Sequence, residues 1–355
     1  MKIAIVVGTR PEIIKMSPII KYCELNNINH DIIHSQQHYS ENMDKLFFKD
    51  LGIEYPKINL GVKSKTPHTQ IAEIMEKCGE IFINNSYDYI LVQGDTNTVL
   101  AAALAANKCK IKLGHVEAGL RSFDYSMPEE INRIITDSIS DFCFCPTEVS
   151  ASYLRKSGIC DSKIFVVGNT IVDSIKMNLD KFKNIDIFKK LSLNKRYALV
   201  TLHRPANVDD RENLKKIIES LNLISKEYNY EIVFPVHPRT KKNFLDMNIN
   251  THNIRLMDPL GYFDFLSLIN NSSLIFTDSG GIQEEACILN KPCITLRENT
   301  ERPETIEVSS NILTGLNEEK IISAVNYWEN NSQNWKQPFG NGKSSEKIIN
   351  ILQNG

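Results

Sequence analysis

The feature that most constrains this chain is an alternation, run through twice, of short apolar segments with amphipathic ones. KIAIVV (2–7), HDIIH (30–34), YDYILVQ (87–93), KIKLGHV (110–116), DFCFCP (141–146) and KIFVVG (163–168) read as strands. Helical patterns separate them, for example Pro11 to Leu25 and Thr96 to Asn107. Strands buried on both faces and spaced by helices predict a parallel sheet in a doubly wound α/β domain. Around 180–196 the pattern lapses into the Lys-rich DKFKNIDIFKKLSLNKR. A second series follows: YALVTLH (197–203), YEIVFPVH (230–237), HNIRLM (252–257), SLIFTD (273–278), PCITLR (292–297) and NILTG (311–315). The expected domains are therefore 1–180 and 195–340, and 355 residues suffice for two separate cores.

Two such units on one chain are expected to enclose a cleft, because ligands of open parallel sheets bind beyond the carboxyl ends of the strands. The unusual polar clusters fall at those ends: GTRPE, SQQH, GDTN, EAGLR, HRPAN, HPR and DSGGIQEE. Ordinary loops would scatter such residues over both sheet edges. Their gathering on one edge describes a binding site.

Charge and apolar content narrow the classes. Lys+Arg at 41 against Asp+Glu at 43 leave a formal charge of −2, so the basic footprint of a nucleic-acid binder is missing. No apolar run approaches the roughly 18–20 residues that span a bilayer. The apolar start MKIAIVV breaks at Gly8-Thr9-Arg10, which reads as a first strand of an unexported protein and not as a signal sequence. The eight cysteines are scattered, and Cys143 and Cys145 have strand spacing. Reduced thiols in a cytoplasm are expected, without a zinc site or a disulfide framework.

Thr277 to Glu285 holds a strand end, two glycines and a helix start. Free N–H groups at Ser279, Gly280 and Gly281, with the helix dipole, suit a phosphate. Glu285, one turn on, is placed to accept from ribose hydroxyls. GTRPEIIK (8–15) is a second strand–loop–helix junction, with Thr9 and Glu12 at capping-box spacing. Arg10 and Lys15 put two cations at that helix start, where a helix alone prefers negative charge; a diphosphate would account for them. His203-Arg204, His237-Pro238-Arg239 and Arg302 add cationic groups at other strand ends. Asp95, Glu117, Glu129 and Glu130 are the acidic counterpart, each with a local structural explanation as well. Asp95, for one, is expected to cap the helix that follows it. Together they read as acid–base equipment beside an anionic ligand. Neither GxGxxG after the first strand nor GxxxxGK[ST] occurs, which argues against a dinucleotide redox enzyme or a P-loop ATPase.

GTRPEIIK, QHYSENM, GDTNTVLAAALAA, GHVEAGLRSF, MPEEINR, VVGNTIVD, HPRT, TDSGGIQEEA and TERPE stand here in the order found in the non-hydrolysing UDP-N-acetylglucosamine 2-epimerases. The resemblance runs from residue 3 to about residue 347. It implies a GT-B type fold, two Rossmann-like domains with the active site between them, and a C-terminal helix near 343–355 that returns to the first domain. It implies interconversion of UDP-GlcNAc and UDP-ManNAc without NAD or an obligatory metal. UDP is eliminated to leave 2-acetamidoglucal and then adds back. It also implies a homodimer. By resemblance the catalytic carboxylates fall on Asp95, Glu117 and Glu129, and the catalytic histidine on His203. The UDP positions fall on Arg10, Ser279, Gly280, Gly281, Glu285 and Arg302, with Lys15 and His237 as further contacts and Phe265 as a wall for uracil. Phe265 also reads as one face of a core helix.

Two departures bear on regulation. Bacterial members carry HRREN where this chain has HRPAN, with Pro205 and Ala206. They carry QHRQM or similar where this chain has QHYSEN, with Ser40 in place of a glutamine. Both regions help those members bind an activating second UDP-GlcNAc, so allosteric activation is in question here while catalysis is not. Rival readings are the same chemistry on a 6-deoxy or diacetamido-uronic UDP-sugar, a hydrolysing epimerase releasing ManNAc, a glycosyltransferase of the same fold, and a catalytically silent UDP-sugar sensor. Which carboxylate removes the proton and which returns it stays open.

Overall fold

The computed structural model describes residues 1–36, 47–62, 66–194, 196–247 and 249–355. QHYSENM, with Ser40, lies outside the described residues, as does the side chain of Arg239. The chain divides into two compact units, 1–178 with 339–355, and 179–338.

Among the described residues, the first unit holds seven parallel strands: β1 (Lys2–Val7), β2 (Asn29–His34), β3 (Ile58–Asn59), β4 (Tyr89–Gln93), β5 (Lys112–Val116), β6 (Phe142–Cys145) and β7 (Ile164–Val166). Their spatial order is β3-β2-β1-β4-β5-β6-β7. Ile3, Ile5, Val6 and Val7 of β1 are fully buried, each worth about 1.5–3 kcal/mol of apolar burial. A strand with no exposed face can only be central, which is where β1 sits. Val99 and the alanines of the Asn97–Lys108 helix pack over it and β4; small side chains let the helix approach closely.

The second unit holds β8 (Tyr197–Thr201), β9 (Glu231–Pro235), β10 (Ile254–Met257), β11 (Leu274–Thr277), β12 (Cys293–Thr295) and β13 (Asn311–Leu313), all parallel, in the order β10-β9-β8-β11-β12-β13. Its core joins Val200, Phe234 and Phe276 to Leu214, Ile217 and Leu221 on the apolar stripe of the Arg211–Tyr228 helix.

Both units follow the 3-2-1-4-5-6 order of the doubly wound dinucleotide fold. The strand order reverses between β1 and β4 in one unit and between β8 and β11 in the other. Such switch points open a crevice at the carboxyl edge, so the topology names two places to look. The polar stretch read as a lapse carries two short helices, Leu179–Lys183 and Ile187–Leu191, in the second unit. At the other end of the chain, the Ser344–Asn354 helix packs against the Arg10–Leu25 helix. Its first turn is tied by Asp173, which accepts from both the N–H and the hydroxyl of Ser345 at 2.9 Å.

Candidate active site

In the first unit β1 ends at Val7, and Gly8 passes so close to the Asn97–Lys108 helix that a Cβ there would meet Thr98 Oγ1 and come within 2.5 Å of Ser35 Oγ. Thr9 takes the N-cap position of the Arg10–Leu25 helix, but its side chain does not cap. Instead Glu12 reaches back: Gly8 N–H donates to it at 2.7 Å and the Thr9 hydroxyl at 2.8 Å. The expected capping box does not form: Glu12 takes the N–H one residue before the N-cap and the hydroxyl that would have done the capping. Burial pushes the Glu12 carboxyl up to about 7, with the nearby Asp95 adding to the rise and donors from Thr9, Thr96 and Gly8 opposing it. Arg10 stands at the first helical position, its guanidinium 5.6 Å from the Phe47 ring centroid.

Lys15 was read as a cation for the ligand. It forms an ion pair with Glu117, with both side chains buried. Gln93 Nε2 donates to the same carboxylate at 3.0 Å. Glu117 follows β5 directly and has a φ of 69°, left-handed backbone that an L residue adopts at a cost. The N–H groups of Glu117 and Ala118 both donate to the Phe144 carbonyl, at 3.0 and 3.1 Å, which holds the turn.

Asp95 follows β4, and the expected capping role falls to its neighbour: Thr96 accepts from Val99 N–H at 3.4 Å. The Asp95 carboxylate is thereby left to pair with Arg133. Asn132 Nδ2 donates to the Asp95 carbonyl at 2.9 Å. Arg133 belongs to the Pro128–Ile139 helix, and Glu129 lies four residues earlier, on the same helical face. The adjacent Glu130 is consumed structurally, accepting from the Ser122 N–H and hydroxyl at 2.9 Å, whereas Glu129 is exposed. Asp95 and Glu117 thus both follow neighbouring strands at the carboxyl edge of β4 and β5, and Glu129 lies one helical turn from the arginine that pairs with Asp95.

Beneath them lies a group that sequence reasoning missed. His115 is fully buried, its Nδ1 2.7 Å from Asp137 and its Nε2 2.8 Å from the Gly94 carbonyl. Arg121 binds the other Asp137 oxygen at 2.7 Å. Burial raises the Asp137 pKa, but His115 and Arg121 outweigh it and hold the carboxyl below its usual range. The signal was a histidine inside an apolar strand, KLGHV. It ties the end of β4 to the end of β5, one residue from Asp95 on one side and two from Glu117 on the other.

In the second unit Ser279 takes the N-cap position of the Gly280–Ile288 helix after β11, without a side-chain cap bond. A Cβ on Gly280 would stand 3.0 Å from the Arg302 guanidinium, so the missing side chain is what lets that cation lie over the helix start. Glu284 accepts from Arg302 Nε at 2.8 Å, and Arg297 grips Glu301 through two 3.0 Å bonds. Arg204 adds a third guanidinium, 3.4 Å from Glu301. A helix N-terminus with arginines about it suits an anion. Glu285 is buried one turn into the helix.

His203 ends the loop after β8, the strand hydrogen-bonded to β11, and is joined to Asp278 (Nδ1 to Oδ1, 2.9 Å). His237 is exposed after β9. Phe265 is half-buried on the Tyr262–Asn271 helix, which packs beside the Gly280–Ile288 helix. Among the described residues, no three His, Cys, Asp or Glu side chains are grouped to hold a metal ion.

One switch-point edge is rich in carboxylates and the other carries a helix start with arginines about it, and comparison with known proteins identifies a nucleotide-sugar enzyme. A family model described as UDP-N-acetylglucosamine 2-epimerase matches residues 21–353. The chain is 52% identical to the UDP-N-acetylglucosamine 2-epimerase of Methanocaldococcus jannaschii, over all of both chains. It is 50% identical to that of Methanococcus maripaludis, over 99% of this chain and 98% of the relative. Among solved structures, that of the Methanocaldococcus jannaschii UDP-GlcNAc 2-epimerase in complex with UDP-GlcNAc and UDP superposes with a TM-score of 0.94, covering all of both chains. This chain belongs to the UDP-N-acetylglucosamine 2-epimerase family, and its two parallel-sheet units are of the GT-B class.

Proposed function

We propose that the chain interconverts UDP-GlcNAc and UDP-ManNAc. The Gly280–Ile288 helix start, with Ser279, Gly280, Gly281 and Arg302, holds the diphosphate, assisted by Arg10 and His237. Glu285 accepts from the ribose hydroxyls and Phe265 flanks the uracil. The C2–H bond of the sugar breaks with its proton going to an enzyme carboxylate, while the C1–O bond breaks and its electron pair leaves with UDP. The product pair is 2-acetamidoglucal and UDP. A proton returned to the opposite face of C2 and attack of the UDP oxygen on C1 complete the inversion. Asp95, Glu117, Glu129 and His203 carry this proton traffic. Lys15 acts through Glu117, holding it aimed.

The observation that carries the reading is that Asp95 and Glu117 follow adjacent strands, each held by its own cation, in a chain that also gathers arginines about a helix start. Carboxylates held in place at a strand edge serve as acid–base groups. The eight unpaired cysteines, six of them buried, support a cytoplasmic location. We take the working form to be a homodimer, as the resemblance implies.

The test is to incubate the chain with UDP-GlcNAc in deuterium oxide and follow the products by NMR. UDP-ManNAc deuterated at C2, without stoichiometric free UDP, is the expected result. Free ManNAc would mark a hydrolase. An unchanged spectrum with bound nucleotide would mark a sensor. Turnover only of a 6-deoxy or diacetamido-uronic analogue would move the substrate.

A further inference from the structure

We propose that Asp278 is the positioning residue for His203: it fixes the ring with Nδ1 protonated, so that Nε2 is the nitrogen that exchanges a proton during the reaction. The proposal rests on the reading of His203 as a catalytic group. The His203 side chain is 60% exposed, so packing alone does not set its orientation. Asp278, by contrast, is fully buried at the end of β11.

Its two oxygens are crowded with donors. His203 N–H donates to Oδ1 at 3.1 Å, and His203 Nδ1 stands 2.9 Å from the same oxygen. Oδ2 accepts from Arg204 N–H at 3.1 Å and Asn207 Nδ2 at 3.0 Å, and lies 3.3 Å from His203 N. Burial works against ionisation, but the His203, Arg204 and Asn207 donors outweigh it and hold the carboxyl below its usual range. An ionised carboxylate offers only lone pairs, so Nδ1 must bring the proton. The neutral ring then keeps its lone pair on Nε2. When Nε2 takes a proton, the imidazolium forms against a fixed negative charge, the arrangement by which buried acids orient and stabilise catalytic histidines. The other charges nearby are Arg204, whose Nε donates to the Asp278 carbonyl at 3.2 Å, and Glu301, which faces Arg204.

An Asp278→Asn change separates this role from a merely structural one. The donors at Oδ2 would hold the amide oxygen there and turn the amide nitrogen toward Nδ1. Nδ1 would then have to accept, and the ring would adopt the other tautomer.

The first measurement needs no variant. Nitrogen NMR of the 15N-histidine-labelled protein, with His203 assigned by its loss in H203N, is expected to show the Nδ1–H tautomer in the neutral form. A wild-type ring with Nε2–H overturns the proposal. D278N is expected to show the switched tautomer and to lose about 10²–10⁴ in kcat, the range of a general acid–base group, with KM nearly unchanged. In an H203N background D278N should cost nothing further. An equal loss in both backgrounds assigns Asp278 to loop structure alone and also overturns the proposal. If D278N fails to fold, D278E, which keeps the charge, should restore the Nδ1–H signal, and its failure to do so counts against the assignment. Undiminished turnover by H203N would remove His203 from the mechanism, and the wild-type tautomer would still decide whether Asp278 sets the ring.

Discussion

Lys15 and Glu117, 102 residues apart in sequence, form one buried ion pair at the carboxyl edge of the first sheet. The lysine comes from the helix after β1, the carboxylate from the turn after β5, and β4 between them supplies Gln93 as a second donor to the same oxygen.

Removing the cation alone leaves a charge without its partner. Lys15→Met is expected to lower unfolding free energy by about 3–5 kcal/mol at neutral pH, read from urea denaturation. Deuterium uptake at sugar C2 should fall with it. A loss below about 1 kcal/mol, the size of an exposed pair, would show that the two charges are not buried together.

Glu117→Gln keeps the shape and removes the carboxylate. Solvent exchange at C2 should be abolished while UDP still binds, measured by deuterium incorporation and calorimetry. Unaltered turnover would take Glu117 out of the mechanism.

Gly280→Ala tests the anion site. The added methyl would press on the end of a flexible side chain, so Arg302 moves and the backbone stays. Thermal stability should hardly change, while UDP affinity should weaken about tenfold, equivalent to about 1.4 kcal/mol. An unchanged Kd would separate Arg302 from the diphosphate. Gly8→Ala is the contrasting case. Its methyl would meet Thr98 and Ser35, and overpacking there should destabilise the fold by about 1–3 kcal/mol.

Glu12 makes stability depend on pH in a defined direction. Its folded pKa is raised from 4.5 to about 7, so between those values the native state binds the proton more tightly than the unfolded chain. Stability is penalised progressively as pH climbs through that window, and the penalty levels off above it, reaching about 3 kcal/mol. Glu12→Gln should therefore match the wild type near pH 4 and exceed it increasingly toward pH 8. Parallel urea-melt profiles of the two proteins would refute this.

The sheets were legible because parallel strands buried on both faces announce themselves as apolar runs, as IAIVV and YILVQ do. β3 escaped because two residues, Ile58 and Asn59, carry no pattern. The site was legible only in outline. Thr9 and Glu12 had the right spacing, yet spacing does not say that Glu12 will take the Gly8 N–H and the Thr9 hydroxyl in place of a reciprocal cap. The pairing of Lys15 with Glu117 was not legible, because its partner follows a distant strand. Asp278 went unread as a site residue for the same reason: its hold on His203 spans 75 positions and exists only because β8 and β11 are neighbours. Pairings made by topology leave no trace in a local window.

The left-handed backbone at Glu117 has a consequence for anyone improving this molecule. Glycine would suit that turn better, and an apolar residue at position 15 would suit the interior better than an ammonium group. A library ranked only by sturdiness or expression should drift toward those two changes together. It would return chains that fold well and turn nothing over, so robustness here must be sought away from the first sheet's carboxyl rim.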